Sequence, residues 1–221
     1  MCPPSSSPEL PPPNCIPSAP ISQAAFQLAS SLLATPMLNH SIRVYLYAQA
    51  IASHSQPPST YTPTNPHQHD LLFTACILHD IGTAPRFDSD PQRFEVCGAD
   101  AAAALLSHFN VRAEDAHQVW MAIALHTSPG LAERASELSR LVREAVLCDF
   151  GKGSEKLGAW EALRTQFEAR FERGEVEKVL GDRVVEQALR LPRKAEMASW
   201  AGGLVRAYAE GPGWEGVNRG F

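Results

Sequence analysis

The 221-residue sequence lacks any apolar run close to the roughly 20 residues that a membrane-spanning helix needs. Its longest candidate, residues 71–78, is far too short and already contains Thr74. It also lacks an excess of basic residues, because 19 Lys and Arg face 24 Asp and Glu, for a formal net charge of −5. A membrane protein and a nucleic-acid-binding protein are therefore both excluded, and a small-molecule partner is expected.

Paired cysteines are absent as well. The five cysteines are an odd number and none forms a CxxC motif, so neither a disulfide framework nor a thiolate zinc site is indicated: Cys2, Cys15, Cys76, Cys97 and Cys148. The first basic residue is Arg43, so the N-terminus has neither the charged start of a signal peptide nor an Arg-rich transit sequence. We therefore expect reduced thiols and a cytoplasmic location.

Proline is unevenly distributed and divides the chain. Eight of the 18 prolines fall within residues 1–20, which contain little to bury, so residues 1–21 are predicted to be a disordered leader. A second Pro/Ser/Thr-rich stretch, residues 56–66, predicts a surface loop. Residues 22–210 are predicted to form one domain, and residues 211–221 a tail that docks through Trp214.

No segment alternates with period two, whereas a period near 3.6 recurs along the chain. We therefore predict an all-α fold, a single helical bundle. Ser22 is expected to cap the first helix, and Gly82 to follow the end of the third. The predicted helices cover residues 23–34, 37–54, 68–80, 94–109, 114–125, 131–149, 154–173, 175–190 and 193–210.

Five polar residues sit on or directly after apolar helical stretches. His40 shares the apolar face of its helix, His79 and Asp80 end one apolar helix, His126 ends another, and Asp149 ends a third. A buried carboxylate is costly unless a positive charge compensates it. Two buried carboxylates together with two or three imidazoles suit a divalent metal ion.

Taken singly, these residues have simpler explanations. His126 alone is better explained as a core histidine bonded to a backbone carbonyl. Asp149 alone could be a helix-end carboxylate paired with Arg143 or Lys152. The order of the elements favours the metal site: a His in one helix, a His-Asp pair ending the next long one, and an Asp ending a later one.

This order, His40, His79-Asp80 and Asp149 with Ile81-Gly82 following, resembles the HD-domain metal hydrolases. Five segments also look like the fungal cyanamide hydratase branch of that family, and the resemblance spans roughly residues 22–217: NHSIRVYLYA, CILHDIGTAPRF, RFEVCGADAA, IALHTSPG and CDFGKG.

The resemblance implies an all-α HD domain in which four residues bind the metal: His40, His79, Asp80 and Asp149. It implies zinc, with iron or manganese as the alternatives. Some members hold several metals with a further His near Phe94, but no His lies between His79 and His108 here, so a single ion is expected. His126 could then lie behind the ligands or face the substrate.

The implied activity is that of a hydro-lyase, in which metal-activated water adds to a small nitrile and converts cyanamide to urea. Asp80 or His126 is the expected proton shuttle, and Thr127 and Ser128 the expected neutral donors. The branch has an acidic residue where this chain has Cys97, for which a packing role is favoured.

Glu95 could line the site, although an ion pair with Arg93 is slightly preferred. The first rival function is a phosphohydrolase acting on a nucleotide or phosphomonoester, with Arg43, Arg86 and Arg93 as candidate phosphate-binding groups. Against it, Thr83 stands where many such enzymes have a lysine. A non-catalytic metal-binding module, or an enzyme for another nitrile or an isonitrile, also remains open. The C-terminal helices are compatible with a homo-oligomer.

Overall fold

The structure, a computed structural model, describes residues 14–152 and 160–211. These residues contain no β-strand, which confirms the predicted all-α fold. Their α-helices are α1 (Pro20–Leu32), α2 (Thr35–Ser53), α3 (Pro66–Leu78), α4 (Phe94–His108), α5 (Ala113–Leu125), α6 (Ala132–Ala135), α7 (Glu137–Asp149), α8 (Trp160–Arg170), α9 (Val176–Arg190) and α10 (Trp200–Glu210).

Two of the predicted helices are interrupted. The stretch 131–149 divides into α6 and α7 because Ser136 caps α7, its hydroxyl accepting a hydrogen bond from the Ser139 amide. The stretch 193–210 opens as a 3₁₀ turn, Pro192–Lys194, and α10 starts later, where Ser199 accepts a bond from the Gly202 amide. In both places, a serine that caps the N-terminus of the following helix interrupts an apparently continuous helical pattern.

The N-terminal segment is more ordered than predicted. Helix α1 begins at Pro20, and Ser22 lies buried inside it, donating a hydrogen bond to Asp70, so its predicted capping role is wrong. Ile16 packs into the core and the Gln23 side chain bonds to the Pro17 carbonyl. The predicted disordered leader therefore fails for residues 14–21, because they have a core to join. Residues 1–13 and the tail with Trp214 lie outside the described residues.

Helix α3 is the centre of the bundle. Every residue from Leu71 to Ile81 is buried, and α3 packs against α1, α2, α4, α5 and α7. Helix α2 crosses α3 and α7 and also reaches α8 and α9. Among the described helices, none has both the length and the apolar character needed to cross a bilayer. This packing brings the C-terminal ends of α3, α5 and α7 towards the first half of α2.

Helix α9 is fastened to the loop after α3 through Asp88. Its carboxylate accepts hydrogen bonds from Arg183 (2.7 Å), Arg190 (2.7 Å) and Gln187 (3.0 Å). Burial by itself raises the pKa of Asp88, but the bonds from Gln187 and Arg183 outweigh it and hold the pKa below its usual value. The C-terminal helices are thereby joined to the segment that follows the predicted metal ligands.

Candidate metal centre

The predicted site residues lie where three helices end. His79 directly follows α3, His126 directly follows α5, and Asp149 is the last residue of α7. His40, from the second turn of α2, completes the group, and all of these side chains are buried. Because the carboxyl end of a helix carries a partial negative charge, three such ends together favour a cation.

Three of the predicted ligands form a compact triangle. The Nε2 atom of His40 lies 3.2 Å from Nε2 of His79 and 3.6 Å from Oδ2 of Asp80, and His79 Nε2 is 3.2 Å from the same oxygen. Two ligand atoms each about 2.0–2.1 Å from a tetrahedral zinc ion stand roughly 3.3–3.4 Å apart. The spacing of His40, His79 and Asp80 therefore matches that of ligands around one ion.

Hydrogen bonds on the far side of the rings orient two of the imidazoles. Nδ1 of His79 lies 2.7 Å from the Cys76 carbonyl, and Nδ1 of His126 lies 2.7 Å from the Ile123 carbonyl. Since a carbonyl can only accept, each Nδ1 carries a proton, and Nε2 keeps its lone pair when the ring is neutral. The carbonyl contact that explains a core histidine thus occupies only one nitrogen of His126, and the other faces Asp80 at 3.4 Å.

Asp149 sits behind His40. Its Oδ2 accepts the Nδ1 proton of His40 at 2.7 Å, and Arg43 donates to both carboxylate oxygens, also at 2.7 Å. Burial raises the pKa of Asp149, but these bonds hold it below its usual range. The alternative partners Arg143 and Lys152 are not the ones found. Direct metal binding by Asp149 stays a prediction, whereas its contact with His40 is that of a group orienting a ligand.

Asp80 supplies the observation that most requires a cation. Both of its oxygens are buried, and neither has a hydrogen-bond partner among the described residues. Their nearest polar neighbours are the Nε2 atoms of His79 and His126, which carry lone pairs when those rings are neutral. Burial lowers the pKa of His40, which favours the neutral, metal-binding form of that ring, whereas the Asp80 carboxylate outweighs burial and raises the pKa of His79. Without a cation, this cluster must either bury unpaired acceptors or take up an extra proton. A divalent ion satisfies the acceptors directly, so these residues fit a metal.

A comparison with protein families matches the HD domain at residues 37–154, just over half of the chain. The chain belongs to the HD domain family. Members of this family are typically metal-dependent hydrolases, in agreement with the site. A search of curated proteins found no match, so the likeness to cyanamide hydratases rests on the sequence segments alone.

Gly82 positions the HD dipeptide of this domain through a close backbone contact. It lies in a 3₁₀ turn, Ile81–Thr83, packed on the start of α4. A Cβ atom at this position would lie 1.9 Å from the Phe94 carbonyl oxygen and 2.9 Å from the Gly98 amide nitrogen. Gly82 is therefore required for this close approach, and not for the helix end predicted from the sequence.

Thr127 and Glu95 form a pair beside His126. The Thr127 hydroxyl donates to Oε1 of the buried Glu95 at 2.7 Å. Its proton is therefore directed at Glu95 and not, as the sequence predicts, at a substrate. The expected ion pair between Arg93 and Glu95 exists, but at 3.7 Å it is the longer of the two contacts. Glu95, in the first turn of α4, thus fixes the side chain of Thr127, the residue that follows His126.

Cys97, where the branch is expected to have an acid, has a packing environment. Its buried thiol lies 3.4 Å from the Gln92 carbonyl and 3.7 Å from the Lys194 ammonium, and burial raises the pKa of the thiol to about 11. Lys194 is itself buried and donates to the carbonyls of Phe87, Asp90 and Gln92. Sequence reasoning missed this lysine, which fixes the loop before α4.

A cavity of about 590 Å³ opens onto the metal centre of the HD domain. His40, His79, Asp80 and His126 line one part of it. A second part, here called the apolar wall, comes from the later helices and from the residue that follows α7, and has apolar or small side chains: Phe150, Leu180, Ala198, Trp200, Gly203 and Ala207. A buried group of polar side chains beside an apolar wall is the usual form of a small-molecule site.

Proposed function

We propose that this HD domain is a metal-dependent hydratase that adds water to the C≡N bond of a nitrile, with cyanamide as the simplest substrate and urea as its product. This choice rests on one observation: the arginines that line the cavity, Arg93 and Arg143, already have partners within the protein. Arg143 donates to the His126 carbonyl at 3.0 Å and lies 3.4 Å from Glu133, and Arg93 is paired with Glu95. The cavity favours an uncharged substrate.

The rival, a phosphohydrolase, needs cations directed at the phosphoryl oxygens. Of its three candidate residues, Arg43 is fully buried and bonded to Asp149, and Arg86 is exposed away from the described cavity lining. Arg93 alone lines the cavity, and it is the arginine paired with Glu95. These positions support hydration over phosphoryl transfer.

His40, His79 and Asp80 are the residues that would hold the metal. A divalent ion bound there would supply Lewis acidity, lowering the pKa of a water molecule towards 7 and polarising the nitrile. In the overall reaction, the water oxygen forms a bond to the nitrile carbon while one C–N π bond opens. One proton then moves from oxygen to nitrogen, and tautomerisation of the imidate gives the amide.

His126 is placed to move that proton. Its Nδ1 proton is held by the Ile123 carbonyl, so the lone pair on Nε2 accepts a proton from the attacking water. The resulting imidazolium lies beside Asp80, whose Oδ1 is 3.4 Å away and stabilises the charge. The same nitrogen then returns the proton to the imidate nitrogen. The Thr127 hydroxyl donates its hydrogen bond to Glu95, so its oxygen lone pairs accept hydrogen bonds from the N–H groups of cyanamide.

The test supplies metal-loaded protein with cyanamide and measures urea, alongside 4-nitrophenyl phosphate as a generic phosphomonoester. His126→Gln should lower kcat by about 10²–10⁴-fold while metal content is unchanged. His117→Gln, on the exposed side of α5, is the matched control. Phosphate release without urea would favour the phosphohydrolase. Neither product, with metal still bound, would favour a non-catalytic module or a different substrate.

A further inference from the structure

The cavity is much larger than cyanamide requires. At roughly 30 Å³ per water molecule, 590 Å³ corresponds to about 20 waters, whereas cyanamide has only three heavy atoms. A substrate that small would leave most of the cavity filled with water. It would also leave much of the apolar wall of the cavity without a substrate group to cover it.

The apolar wall of the cavity is suited to binding an apolar group. Trp200, Gly203 and Ala207 are spaced three and four residues apart, so they share one face of α10, and all three line the cavity. Phe150 and Leu180 add an aromatic and an aliphatic side chain to the same wall. Flat aromatic groups pack favourably against such rings and small residues.

The two glycines of α10, Gly202 and Gly203, differ in whether the packing of the helix requires a glycine at that position. A Cβ atom on Gly202 would lie 2.2 Å from the Glu196 carbonyl oxygen, so packing demands that glycine. A Cβ atom on Gly203 would meet nothing closer than the Arg206 guanidinium at 3.9 Å. A glycine in a helix interior costs roughly 0.5–1 kcal/mol relative to alanine. Gly203 therefore leaves room in the cavity that the fold itself does not need.

We propose that the substrate carries an uncharged aryl group, which lies against Trp200 and over Gly203 while its C≡N group reaches the metal centre. This inference rests on the proposed function and narrows its substrate class to aryl cyanamides and aryl nitriles. For phenylcyanamide, water adds across the C≡N bond and phenylurea is formed, with no other reactant consumed.

The first experiment compares phenylcyanamide with cyanamide on the metal-loaded protein. The kcat/KM for phenylcyanamide should be at least about 10-fold higher, mainly through a lower KM, because one methylene in an apolar pocket already contributes about that factor. Equal or better use of cyanamide would overturn the proposal.

The second experiment tests the wall itself through binding. Gly203→Leu fills the space in the cavity, and calorimetry with phenylurea should give a Kd at least about 10-fold higher than that of the original protein. Ala209→Leu, an exposed position on the same helix, is the matched control and should bind phenylurea normally. A thermal melt of each variant reports folding.

These two measurements separate the inference from the function beneath it. If no nitrile is hydrated but phenylurea binds and Gly203→Leu weakens it, the aryl site stands and the hydratase assignment fails. If cyanamide is hydrated while phenylurea does not bind, or binds Gly203→Leu equally well, the hydratase stands and the aryl site is wrong.

Discussion

Replacing Arg43 with methionine should lower the free energy of unfolding by about 3–5 kcal/mol. The Arg43 guanidinium is fully buried and donates four hydrogen bonds: two to Asp149 at 2.7 Å each, one to the Phe171 carbonyl at 2.9 Å and one to the Glu172 carbonyl at 3.2 Å. Methionine fills much of the same volume but leaves a buried carboxylate without its main counter-charge. Since domains of this size are stable by about 5–15 kcal/mol, the loss is a large part of the total.

The assay is urea unfolding of metal-free protein in the presence of a chelator, so that metal affinity does not contribute. Arg190→Met is the control, because the Arg190 side chain is 59% exposed and its pair with Asp88 should contribute about 0.2–1 kcal/mol. Arg43→Lys, which keeps the charge without the two-pronged contact, should fall between them. A loss from Arg43→Met no larger than that from Arg190→Met would refute the reasoning.

Four further results are expected. His79→Ala should lose stoichiometric metal by elemental analysis, whereas the exposed His54→Ala should retain it. Asp149→Asn should raise the Kd for Zn²⁺ about 10–100-fold in a competition assay, as for a group that orients a ligand, and a far larger loss would make Asp149 a direct ligand. Gly82→Ala should lower the free energy of unfolding by about 3 kcal/mol, because its Cβ has no room beside α4. The midpoint of urea unfolding should fall accordingly, and an unchanged midpoint would contradict the contact. The pKa of Asp88 is lowered on folding, so its contribution to stability is complete above about pH 4 and declines as the pH falls further; the difference in stability between the original protein and Asp88→Asn should therefore shrink from pH 6 to pH 3, and a constant difference would contradict it.

Much of the fold could be predicted because its signals are local. Apolar periodicity located the helices, and a polar residue at the end of an apolar run located His79, Asp80 and His126 before any geometry was known. Each of these signals lies within one helix. For that reason the sequence alone indicates where along the chain these three side chains lie.

The features that could not be predicted depend on partners far away in the sequence. Arg43 reads as an ordinary helical cation until Asp149, 106 residues later, is placed against it. Lys194 satisfies carbonyls more than 100 residues before it, and nothing near it in the chain indicates burial. Gly82 suggested a helix end, whereas the approach of α4 explains it.

The family match ends at residue 154, yet Leu180, Trp200 and Gly203, which belong to the apolar wall of the cavity, all lie beyond it. Under the proposed function, the residues that hold the metal and the residues that select the substrate therefore come from two different stretches of the chain. Substitutions in the later helices would then change substrate selectivity without altering His40, His79 or Asp80. A fragment trimmed to residues 37–154 would keep His40, His79 and Asp80 and lose Leu180, Trp200 and Gly203 from the cavity lining.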